Sequence, residues 1–179
     1  DPARPPRLQG QKARVLALPD CRPVRVSRQD ARALTMFNPS REQVRGFLAE
    51  AWRKRCEGLP ATPLETMAAD IAALHPEYHA LLAGGKDALS REWTPEQGET
   101  NPFLHLSLHL AIGEQLAIDQ PPGIRAIFER LAARHGDRHA ALHDILECLG
   151  ETVWRAQRDN APPDGAAYLA CLKRAAGVS

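Results

Sequence analysis

Hydrophobic and polar positions change register at Met36. Before it, residues 1–35 show neither a period of two nor a period of 3.6 over any useful length, and Pro2, Pro5, Pro6, Pro19 and Pro23 interrupt them. Such a segment predicts disorder. Val15-Leu16-Ala17-Leu18 could pair as a strand, but no other stretch offers a partner. After Met36 the apolar residues recur at helical spacing. Val44, Phe47, Leu48 and Ala51, with Trp52 beside them, predict an amphipathic helix stopped by Gly58. Its start is either Asn38 with Pro39 at the first helical position, or a Ser40…Gln43 capping box. Thr62-Pro63-Leu64-Glu65 opens a second helix with a buried stripe of Leu64, Met67, Ala68 and Ile71. His75-Pro76 ends it, because a residue before proline avoids the α region.

Pro76 can open a short helix through Leu82, closed by Gly84-Gly85. Residues 84–101 are polar and turn-rich, with room for one helical turn at Thr94-Pro95-Glu96-Gln97. Asn101-Pro102 repeats the cap-plus-proline device. The helix it opens, Phe103 to about Ile118, is apolar on almost every side and is therefore expected at the centre. Gln120-Pro121-Pro122-Gly123 breaks the chain before a stripe of Ile124, Ile127, Phe128 and Leu131, which ends at Gly136. Asp137 caps a long helix bearing Leu142, Ile145, Leu149 and Val153. Asp164 caps the last, with Tyr168, Leu169 and Leu172 inward. The expected fold is all-α: a single bundle of about five to six helices over residues 36–179, after a disordered or non-native leader of 1–35.

Composition narrows the function classes. At 179 residues and 44% hydrophobic, the chain fits one domain with a sizeable core. No apolar run is long enough to span a bilayer, and no secretory leader opens the chain. The leader carries eight basic against three acidic residues, while the body carries 15 basic against 19 acidic. An acidic body argues against nucleic acid as partner. Cys21, Cys56, Cys148 and Cys171 form no C-x-x-C pair, so a reducing cytoplasm is the expected location.

No P-loop, G-x-G-x-x-G, G-x-S-x-G or H-E-x-x-H occurs. Ser107, between His105 and His109, is not on a strained turn and does not look like a nucleophile. The histidines carry the chemistry. All seven fall between positions 75 and 143, and four pairs are spaced i, i+4: His75/His79, His105/His109, His135/His139 and His139/His143. A random scatter would give fewer than one such pair. Two imidazoles one turn apart lie on one helix face and can share an ion. His139, His143 and Glu147 continue in steps of four beside the apolar stripe of their helix. The proposed ligand set is His105, His109, His143 and Glu147, with His139 in reserve and zinc, iron or manganese as the cofactor. Its affinity is expected to fall as pH drops through ~6.5, because only neutral imidazole binds. Glu114, Asp119, Glu151 and Arg125 are candidate supporting residues. His135 reads as a helix-end residue and His75 as a structural one at the proline break.

The alternative is a structural histidine network in a non-catalytic adaptor. A protein partner or a second copy would then be anchored by Trp52, Trp93 or Trp154, although core burial is the commoner fate of a helical tryptophan.

Several separated segments together resemble one family. They are Met36-Phe37-Asn38-Pro39-Ser40-Arg41, Thr62-Pro63-Leu64-Glu65, His75-Pro76-Glu77-Tyr78-His79, Asn101-Pro102 through His109, and Asp119-Gln120-Pro121-Pro122-Gly123-Ile124-Arg125. Glu147-Cys148-Leu149-Gly150 and Trp154-Arg155-Ala156-Gln157-Arg158 extend the likeness, which covers residues 36–175. The family is the bacterial domain of unknown function 1841. The resemblance implies a small cytoplasmic bacterial protein and no particular reaction. The histidine layout is also similar, in spacing only, to hemerythrin-like and DinB-like metal bundles. Gly113 departs from that spacing, since a carboxylate there would complete H-x-x-x-H-x-x-x-E. A carboxylate ligand must then come from another helix.

Overall fold

Residues 40–93 and 101–178 are described by the structure, a computed structural model. The leader, the Asn38-Pro39 start signal of the first helix and the turn expected at Thr94–Gln97 lie outside the described residues.

Among the described residues the chain is helical, with no strand. The first helix, α1 (Arg41–Glu57), starts on the Ser40–Gln43 capping box, and Gly58 ends it in the left-handed region at φ 65°. The second, α2 (Pro63–Ala73), starts on the Thr62–Glu65 box with Pro63 in its first turn. Leu74 ends α2, and His75 leaves the α region ahead of Pro76. A 3-10 turn, Pro76–Tyr78, leads into two short helices, α3 (His79–Ala83) and α4 (Gly85–Ser90). The second of these corrects the expectation of an irregular stretch there. Four longer helices follow: α5 (Pro102–Ile118), α6 (Ile124–His135), α7 (Arg138–Arg158) and α8 (Gly165–Ala176). Asn101 caps α5 by accepting from the Phe103 and Leu104 amides, and Asp137 and Asp164 cap α7 and α8.

The core divides in two. Leu48, Ala51, Ala68, Ile71 and Leu82 pack with Phe103, Leu106 and Leu110 in one half. Ile124, Phe128, Leu131, Ile145, Tyr168 and Leu172 pack with Ile112 in the other. The helix α5 supplies residues to both, which is why its sequence is apolar almost all round. Leu106 is fully buried and Leu110 nearly so. α2 packs on α1 and α5, whereas α7 packs on α5, α6 and α8.

The turn after α5 is held by its own motif. Asp119 is left-handed at φ 54° and accepts from the amides of Gly123 and Arg125. Arg125 donates to the carbonyls of Leu116 and Ala117. These bonds occupy the end of the helix that its own amides cannot reach.

Cys148 and Cys171 form a disulfide between α7 and α8, a pairing that their spacing in the sequence does not announce. Cys56 is free and exposed. No described helix is long and apolar enough to cross a membrane.

Candidate metal centre

Five histidines meet where the two half-cores join. The helix α5 contributes His105 and His109 one turn apart, and α7 contributes His139 and His143 in the same relation. His75 enters from the end of α2, where the turn before Pro76 swings its side chain back into the bundle. The ring centroids of His75 lie 4.8 Å from His105, 4.7 Å from His109 and 4.7 Å from His139. His143 lies 4.9 Å from His109 and 5.3 Å from His105. His75 and His109 are each only 1% exposed. Tyr78 stacks on His75 and meets His105 edge-on.

Four of the rings, His75, His109, His139 and His143, each offer a donor nitrogen within 4.8 Å of all the others. The Nε2 atoms run in short steps: His139 to His75 at 3.2 Å, His75 to His105 at 3.0 Å, and His105 to His109 at 3.2 Å. Imidazoles bound to one tetrahedral zinc at 2.0–2.1 Å have nitrogens ~3.3 Å apart, and the step from His139 to His75, which joins two of the four rings, matches such an edge.

Burial sets the charge state of the cluster. It pushes His109 down to about 2 and His105 down to about 4, with the neighbouring imidazoles adding to the effect. Burial also lowers His139 and His143, each aided by imidazoles beside it. Glu77 and Asp137 oppose the lowering at His139 and His143, and Glu147 does so at His143. At neutral pH His105 and His109 are therefore uncharged, the form that binds a metal, and His139 and His143 are shifted in the same direction.

The structure brings His105, His109 and His143 together, and adds His75 and His139. Glu147 stands outside the group of four and is exposed. Gly113 explains why α5 has no carboxylate one turn beyond His109. A Cβ there would lie 2.7 Å from Sδ of Met67, so α2 already fills that space.

The supporting candidates lie elsewhere. Asp119 and Arg125 lock the far end of α5, and Glu151 pairs with Arg155 at 2.5 Å on the surface. Glu114 is partly buried and its carboxyl is raised by that burial. Ser107 donates to the Phe103 carbonyl at 2.6 Å, a bond within its own helix. His79 stacks on Trp52 and reaches the Ala72 carbonyl, while His135 pairs with Asp144 at the end of α6. Trp93 packs against Phe103 and Arg45, leaving Trp154, 57% exposed, as the outward tryptophan of the three.

Neither a curated protein nor a solved structure matches the chain. A family model does match, over residues 40–174, a span that takes in every ring of the cluster. The chain thus belongs to the family described as Domain of unknown function (DUF1841).

Proposed function

We propose that this protein binds one divalent transition-metal ion through His75, His109, His139 and His143, with His105 against the same site. The observation that carries the reading is that protons alone do not satisfy these nitrogens. Nδ1 of His75 donates to the Ile71 carbonyl at 2.8 Å, so Nε2 of the neutral ring holds a single lone pair. That lone pair faces two nitrogens, Nε2 of His105 and Nε2 of His139. It can accept one well-aligned N–H. If His105 is the donor, its Nε2 has no lone pair left for His109, 3.2 Å away. Nδ1 of His109 and Nε2 of His143 are buried without any partner. Unpaired buried polar atoms are costly, and a cation shared by facing lone pairs removes the deficit. A network of these side chains alone leaves it in place.

Elemental analysis of tag-free protein after gel filtration tests this reading. The expected result is about one transition-metal ion per chain, removed by chelator and restored by titration, with His109→Ala binding weakly. Retention of no ion at any stage of such a titration sinks the proposal.

A bacterial, cytoplasmic setting is part of the same proposal, as the family implies. The adaptor reading rests on Trp154, whose ring is exposed under the Arg158 guanidinium at 4.8 Å. Pull-down with Trp154→Ala against the wild type tests it, and equal recovery of partners excludes that anchor.

A further inference from the structure

Resting on the metal-binding reading, we infer that the ion is of the zinc class and acts as a structural clasp between the two half-cores. The donor set decides the class of ion. The group of four contains imidazoles only, with no carboxylate and no thiolate. Neutral nitrogen donors favour late first-row ions such as cobalt, nickel, copper and zinc, whereas manganese, magnesium and calcium want oxygen. Four protein ligands also fill a tetrahedral shell, the mark of a structural zinc site rather than a catalytic one. A fifth imidazole, His105, lies beside the four, its Nε2 3.0 Å from that of His75 and 3.2 Å from that of His109.

The placement of the ligands decides the role. His75 belongs to the half-core of α1 to α3, and His139 and His143 belong to that of α6 to α8. His109 sits on the shared helix. α2 and α7 each pack on α5 and otherwise on different neighbours. An ion held by His75 and His139 therefore ties the end of α2 to α7, two helices that each pack on α5. Hydrogen exchange would no longer report two separately opening units.

The test uses the full chain, stripped of metal and then titrated with zinc chloride or manganese chloride. Binding is followed by calorimetry and amide exchange by mass spectrometry. Zinc should bind one to one, and should slow exchange in both the end of α2 and the start of α7 by about tenfold or more. Manganese at the same concentration should do neither. His75→Ala should keep zinc on the remaining ligands more weakly, and should lose the slowing in α2 alone. Zinc binding that slows exchange only in α5 and α7 of the wild type overturns the clasp while leaving the site intact. Tighter manganese than zinc overturns the assignment of the ion. Failure of every ion to bind overturns the site itself, and the clasp with it. The wild-type comparison stands even if His75→Ala does not fold.

Discussion

At the scale of the residue, the histidines differ in what they need. His109 is the most deeply buried member of α5 to carry ring nitrogens, and one of those nitrogens has no partner. His109→Ala should lower zinc affinity by more than the ~10–100-fold that loss of a supporting residue costs, as calorimetry would show. Acid should act on the same rings. The unfolded chain takes up protons near pH 6.5, whereas His105 does so at about 4 and His109 at about 2 in the fold. Folded pKa values below unfolded ones mean that stability is fully present above pH ~6.5 and is lost as pH falls from there toward 4. Urea midpoints of the metal-free protein at pH 7.5 and pH 5 should therefore differ, with the acidic one lower. An unchanged midpoint would contradict the burial of the cluster. Zinc competes with protons in the same displaced range, so its loss belongs below pH 6.5 rather than at it. The i, i+4 spacing makes the facing pairs on α5 and α7 legible in the sequence. The same rule misleads at Glu147. Each step of four residues overshoots a 3.6-residue turn by about 40°, so two steps from His139 rotate Glu147 off the cluster face by about 80°. His75 is the opposite case. Its direction is set by a turn outside any helix, where no periodic pattern reaches.

At the scale of the element, the caps and prolines legible in the sequence place every long helix. Ser40, Thr62, Asn101, Asp137 and Asp164 each cap the helix that their position announces. α4 was not legible because Gly84 and Gly85 read as a stop, yet the chain resumes a helix at Gly85 with no side-chain cap. Two substitutions on α5 separate framework from site. Leu106→Ala removes a fully buried side chain and should cost ~2–5 kcal/mol in chemical denaturation. Asn101→Ala removes the acceptor for two amides and should cost ~1 kcal/mol. Neither is a ligand, so both variants should still take up one zinc. Loss of zinc from Leu106→Ala at full folding would mean that the register of α5 is set by packing more finely than these contacts imply.

At the scale of the molecule, the Cys148–Cys171 disulfide fastens α8 to α7 at the half of the bundle opposite His75. Scattered cysteines with no motif gave no reason to expect it, since pairing depends on two helices that meet only in the fold. Closing a loop of this length stabilises by roughly 2–4 kcal/mol. Reductant should therefore lower the melting temperature, with Cys171→Ser melting like the reduced wild type. Disulfides are rare in reducing compartments, so counting free thiols in protein trapped directly from cells also tests the cytoplasmic proposal. Free Cys148 and Cys171 thiols in that assay fit a reducing cytoplasm, and their loss counts against it.

The order of the ligands along the chain has a kinetic consequence. His75, His109 and the pair on α7 are separated by α3, α4 and all of α6, so bringing them together requires closing long loops. An unfolded chain can offer an ion only the local pairs, and a pair is a poor trap. The helices must therefore assemble before the ion arrives, unlike a zinc finger, where metal and folding are one event. His139 and His143 are only half-buried, so the ion can enter the folded bundle from their side. Stopped-flow refolding should proceed at the same rate with or without zinc, and uptake by the folded protein should rise in proportion to zinc concentration, with no plateau.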